Sequence, residues 1–80
     1  SMPSIRFVEC SEPGFSRRRQ GKTWHYFYPD GRAVKSSTTI ARLNAIALPP
    51  AYTDAWYSID PKGHILATGI DDRGRKQYRY

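Results

Sequence analysis

The residues best equipped for chemistry stand together at the end of the chain, in Ile70-Asp71-Asp72-Arg73-Gly74-Arg75-Lys76-Gln77-Tyr78-Arg79-Tyr80. Arg73, Arg75, Lys76 and Arg79 can neutralise phosphates, and an arginine can fork onto guanine. Gln77 can pair with adenine through both atoms of its carboxamide. Tyr78 and Tyr80 can stack on a base or donate to a phosphate. The same run also reads as a solvated edge strand whose cations prevent aggregation. A second cationic run, Ser16-Arg17-Arg18-Arg19-Gln20-Gly21-Lys22, reads either as a solubilising loop or as a phosphate-contacting loop.

Composition favours the nucleic-acid side of this choice. The chain has 80 residues, with 13 Lys and Arg against 7 Asp and Glu, for a net charge of +6. Such a balance points to a polyanionic partner, with nucleic acid as the default. A membrane surface fits less well, because no basic amphipathic helix is present. Aromatic residues make up 14% of the chain, enough to build a compact core for a single small domain spanning 1–80.

Other chemistries find little footing. Cys10 is the only cysteine, so no internal disulfide can form. His25 and His64 lack metal-ligand spacing, and no acid or nucleophile stands where it would make either a general base. No metal or cofactor is expected. The chain has no apolar run of about 18 residues and no signal-peptide core, which leads to the expectation of a cytoplasmic, nucleoid-associated protein. Ser1 before Met2 reads as a cleavage scar, and the last strand pattern runs to the final residue. Both suggest a segment of a longer protein.

The elements that must position these residues follow from periodicity. Ile5-Arg6-Phe7-Val8 predicts a short edge strand. Trp24, Tyr26 and Tyr28 alternate with His25 and Phe27 and predict a strand at 24–28, with Pro29-Asp30-Gly31 turning it into a second at 32–35. Ser36 to Thr39 offer N-caps for a helix over 38–47. Ile40, Leu43 and Ile46 form its apolar stripe, and Pro49-Pro50 ends it. One helical turn is expected at 51–54. Strands follow at 55–60, 64–70 and 75–80, with Trp56 and Ile65 as partners of the stripe. Gly69 inside a strand predicts a bulge or a close backbone approach. The fold class is α+β: a small twisted five-stranded antiparallel sheet with one α-helix and a short helical turn. Along the last strand, alternation puts Arg75, Gln77 and Arg79 on one face and Lys76, Tyr78 and Tyr80 on the other. Both rows reach one ligand only if long side chains lean around the end of the sheet; otherwise one row packs within the protein.

Several stretches together carry a family resemblance. They are Pro13-Gly14-Phe15-Ser16-Arg17, Leu48-Pro49-Pro50-Ala51-Tyr52-Thr53-Asp54-Ala55-Trp56, Gly63-His64-Ile65-Leu66-Ala67-Thr68-Gly69, and Asp72-Arg73-Gly74-Arg75-Lys76-Gln77-Tyr78-Arg79-Tyr80. In this order they resemble the N-terminal domain of a bacterial, poxvirus-like type IB DNA topoisomerase. The resemblance implies a monomeric two-lobed clamp on duplex DNA, in which this lobe lies on the major-groove side. It implies that a C-terminal catalytic domain, absent from this sequence, cleaves and reseals one strand through a 3′-phosphotyrosyl link. No residue here would then be catalytic, and no cofactor is implied. DNA contacts are expected from Gln77, Tyr78 and Tyr80, and from the neighbouring Arg73, Arg75 and Lys76. The runner-up is a single-stranded nucleic-acid-binding module that stacks bases on exposed aromatics.

Overall fold

The computed structural model describes residues 11–80. The expected strand at 5–8 and Cys10 lie outside the described residues. The elements are β1 (Ser16–Gln20), β2 (Thr23–Phe27), α1 (Ser37–Ile46), β3 (Thr53–Tyr57), β4 (Ala67–Ile70) and β5 (Lys76–Arg79). The fold is α+β with antiparallel strands, but its five strands do not make one sheet. β1 and β2 form a two-stranded sheet, and β3, β4 and β5 form a three-stranded sheet in that order. One isolated bridge, Phe15↔Tyr57, stitches the two together through reciprocal backbone hydrogen bonds of 2.9 and 3.0 Å.

The basic run expected as a loop is instead β1, in register with β2 from Ser16↔Phe27 to Gln20↔Thr23. The strand expected at 32–35 contracts to a single bridge, Phe27↔Ala33. The chain leaves it almost at once because Ser36 must cap α1. The Ser36 side chain accepts from Thr39 N at 3.4 Å. The helical turn expected at 51–54 is only a turn, with Tyr52 N donating to Pro49 O at 3.1 Å, and β3 starts at Thr53. β3 carries a bulge between Thr53 and Trp56, where Asp54 takes φ 50. An acidic side chain tolerates that left-handed conformation better than most.

The core comprises Phe15, Tyr26, Val34, Leu43, Leu48, Tyr57 and Ala67. Leu43 is buried as the helical stripe requires, while Ile40 and Ile46 pack at its margins. Trp56 and Ile65, expected as their partners, are not in the buried cluster. Strand alternation explains Trp56. Tyr57 pairs with Ala67 on the core side, which places the next row, Trp56↔Thr68, on the opposite face. Trp56 there donates its indole N–H to Glu12 O at 2.8 Å. Gly69 has the close approach expected of it, because a Cβ there would lie 3.0 Å from the Tyr52 ring.

Candidate nucleic-acid interface

Among the described residues β5 is an edge of the three-stranded sheet, and its register is regular from Ala67↔Arg79 to Ile70↔Lys76. Alternation holds along it. Lys76, Tyr78 and Tyr80 share a face, with the Lys76 ammonium 5.7 Å from the Tyr78 ring centre. The rings of Tyr78 and Tyr80 lie nearly parallel, 6.2 Å apart. Tyr78 is 42% and Tyr80 78% exposed, so this aromatic pair stands on the surface. The Trp56–Thr68–Tyr78 row continues the face inward across all three strands.

The other row is organised by Asp71, which the sequence did not single out. Both of its carboxylate oxygens are fully engaged. Oδ1 accepts from Arg73 N and Arg75 N, each at 2.9 Å. Oδ2 accepts from Arg75 Nε at 2.9 Å and Gln77 Nε2 at 3.0 Å. Donation by Gln77, with the Arg75 amide and guanidinium next, holds the Asp71 carboxyl down at about 2. Gly74 takes φ 75 to close the hairpin, and its N–H returns to Asp71 O at 3.0 Å. Gln77 is half-buried, whereas Arg73, Arg75 and Arg79 are exposed.

The cations of β1 are placed differently. Arg17 turns inward and donates to three backbone carbonyls, Leu48 O at 3.0 Å, Pro49 O at 2.7 Å and Tyr52 O at 3.1 Å. Its guanidinium also lies 4.1 Å from the Trp24 ring centre. It thereby ties the segment after α1 to the first hairpin. Arg18 covers Phe27 at 4.3 Å, and Arg19 donates to Gly21 O at 3.1 Å beside Trp24. Arg18 and Arg19 are exposed and line a shallow groove of about 300 Å³ with Trp24, Tyr52 and Asp54. A larger groove of about 400 Å³, at Glu12, Trp56, Ile59 and Asp60, has two carboxylates and no cation in its lining, and so does not suit a phosphate.

The tyrosines of the interior are set for structure. Burial pushes the Tyr57 hydroxyl up to about 12, partly offset by the nearby Arg17 charge. Burial likewise raises Tyr26, whose hydroxyl donates to Asn44 Oδ1 at 2.6 Å and so joins β2 to α1. His25 stands exposed on β2, opposite Arg18. Among the described residues no group of three or more His, Cys, Asp or Glu side chains could hold a metal ion. No helix among them is long and apolar enough to cross a membrane.

Comparison with known proteins gives this geometry a context. Residues 23–71 match the family model for the N-terminal domain of bacterial DNA topoisomerase IB. The matched region ends at Asp71, so β1 and β5 flank it. The chain is also 40% identical over 67 residues to the DNA topoisomerase 1B of Acanthamoeba polyphaga mimivirus. That match covers 84% of this chain and 20% of the viral protein, so the chain spans about a fifth of that relative's length. No solved structure gives a significant match.

Proposed function

The chain belongs to the bacterial DNA topoisomerase IB N-terminal domain family, and from that premise we propose that it is the non-catalytic DNA-gripping lobe of a type IB topoisomerase. In this reading it lies on the major-groove side of duplex DNA. A C-terminal domain of the same protein cleaves and reseals one strand through a 3′-phosphotyrosyl intermediate. The observation that carries the reading is the exposed β5 edge, where cations, an amide and two tyrosines line one strand of a chain with net charge +6. A two-stranded ribbon such as β4–β5 can enter a major groove, where base pairs display distinguishable donor and acceptor patterns.

The contacts divide by chemistry. Arg73, Arg75 and Lys76 serve the phosphates, joined by Arg18 and Arg19 from the first hairpin. Gln77 reads a base edge, and Tyr78 and Tyr80 brace the backbone or pack against it. Arg17 contributes through the fold, by holding the segment that carries Tyr52. Catalysis is assigned to the other domain. Tyr26 and Tyr57 are buried out of reach of a DNA phosphate, which supports that assignment for these two tyrosines.

The stacked, exposed Tyr78–Tyr80 pair favours one other reading, a platform for single-stranded nucleic acid. Titration of matched duplex and single-stranded oligonucleotides across a salt series separates the two. A duplex grip predicts tighter binding to duplex, with a log–log salt slope of about 0.9 per phosphate neutralised; single strands give about 0.7. Tighter binding to the single strand would favour the platform. The chain alone is expected neither to relax supercoiled plasmid nor to form a denaturant-resistant adduct with DNA, and such an adduct at Tyr78 or Tyr80 would overturn the division of labour.

A further inference from the structure

We propose that Asp71 is a positioning residue that fixes the Gln77 carboxamide in an orientation suited to gripping an adenine edge. This rests on the reading of β5 as a major-groove element and adds to it the residue that sets the direction of the amide.

The argument begins with the asymmetry of the two groups. An ionised carboxylate only accepts hydrogen bonds, so a carboxamide can meet it only through nitrogen. Gln77 Nε2 lies 3.0 Å from Asp71 Oδ2, which determines which end of the amide faces the turn. The held carboxyl stays ionised throughout the neutral range. Asp71 is itself immobilised. Its Oδ1 closes the hairpin through two backbone amides, and Arg75 Nε shares Oδ2. The carboxylate is only 9% exposed, so little water competes for it.

An amide nitrogen has two hydrogens. With the hydrogen trans to Oε1 on the carboxylate, the remaining one lies on the same side as Oε1. That adjacent acceptor and donor are the pair that meets adenine, with Oε1 accepting from N6–H and Nε2–H donating to N7. An untethered glutamine turns its amide over at little cost, and the reversed amide sets donor against donor and acceptor against acceptor. Anchoring the nitrogen removes that alternative before DNA arrives. Selectivity then arises from preorganisation as well as from contact.

Asp71→Asn is the informative change. Its Oδ1 can still accept from the Arg73 and Arg75 amides. Its Nδ2 now donates where Oδ2 accepted, and so pulls Gln77 round to meet it through oxygen. A duplex pool randomised in sequence is bound to the chain at fixed salt, and the bound fraction is sequenced. The wild-type chain is expected to enrich adenine at one position, and 7-deaza-adenine there, which lacks N7, should lose the enrichment. Asp71→Asn should reduce that enrichment roughly 5- to 150-fold. In a Gln77→Ala background the same change should add nothing.

A DNA-free measurement guards against a variant that folds poorly. In the wild-type chain the two side-chain amide protons of Gln77 should be well separated and slow to exchange with water, unlike those of the exposed Gln20. Gln77 resonances like those of Gln20 would overturn the proposal. So would undiminished adenine enrichment in Asp71→Asn, or an Asp71→Asn effect that persists without Gln77. Duplex binding without adenine enrichment overturns this inference and leaves the functional reading standing. Failure to bind duplex at all overturns both.

Discussion

The two hairpins carry the same kinds of residue and use them in opposite ways. In β1–β2, arginines fold back onto the protein. Arg17 holds three carbonyls and stacks on Trp24, Arg18 covers Phe27, and Arg19 reaches a carbonyl beside Trp24. In β4–β5 the aromatics pair with each other on the surface, and the arginines extend from a turn organised by one carboxylate. Arginine beside aromatic is therefore not by itself a sign of ligand binding. What distinguishes the hairpins is whether the guanidinium is consumed by backbone acceptors and whether the ring is left exposed.

The largest test of this contrast is Arg17→Ala. It strips charged donors from three carbonyls and a cation from Trp24. Chemical denaturation should find a loss of about 2–4 kcal/mol, a serious fraction of the ~5 kcal/mol that a small domain commands. Arg18→Ala should cost no more than about 1 kcal/mol. Equal stabilities for the two variants would erase the distinction within the first hairpin.

Gln77→Ala on the second hairpin removes one of the four donors to Asp71 and should cost folding about 1 kcal/mol, while relaxing preference at one base pair by about 1–3 kcal/mol. Binding to a panel of single-position duplex variants measures this. A variant that unfolds instead would move Gln77 into the structural class.

Arg75→Ala sharpens the comparison through salt. If Arg75 contacts a phosphate, the log–log slope of duplex affinity falls by about 1 and all sequences weaken alike. Arg18→Ala should change the slope less, because its guanidinium lies on Phe27.

The smallest effect is confined to strong acid. The Asp71 carboxyl is depressed from 3.8 to about 2 in the fold. Its stabilising contribution is thus complete above about pH 4 and is lost as the pH falls through 2. The amide resonances of Arg73 and Arg75 should titrate in that window. The β1 amides, which belong to the hairpin with β2, should not move with them, and a common transition would mean global unfolding rather than release of one turn.

Much of this arrangement was legible in the sequence. Tyr26 announces β2 by alternation, Ser36 and Pro49-Pro50 bracket the helix, and Gly69 signals a close approach, though a side chain, that of Tyr52, makes it rather than backbone. β1 was not legible. Three consecutive arginines show no apolar period, and their strand exists because β2 supplies the rings they lie on. The strand expected over 32–35 contracts because the return from the Pro29-Asp30-Gly31 turn competes with the helix cap at Ser36. Asp71 was missed for a different reason. An aspartate before a glycine turn is ordinary, and only the folded hairpin brings Gln77, six residues away, onto the same oxygen as Arg75. Alternation left open whether the row of Arg75, Gln77 and Arg79 reaches a ligand or packs within the protein; Arg75 and Arg79 are exposed while Gln77 is half-buried and anchored, which makes its direction more defined than alternation alone implies.

The Phe15↔Tyr57 bridge has a consequence for how the molecule assembles in time. β1–β2 and β4–β5 are local hairpins of the kind that form in about 1–10 μs, and α1 is local as well. The bridge joins residues on opposite sides of the helix in sequence and must close a long loop before its two hydrogen bonds form. The expected order is rapid formation of the local hairpins and of α1, followed by a slower docking in which Phe15 meets Tyr57. Substitutions at those two positions should slow folding more than equally destabilising ones within either hairpin.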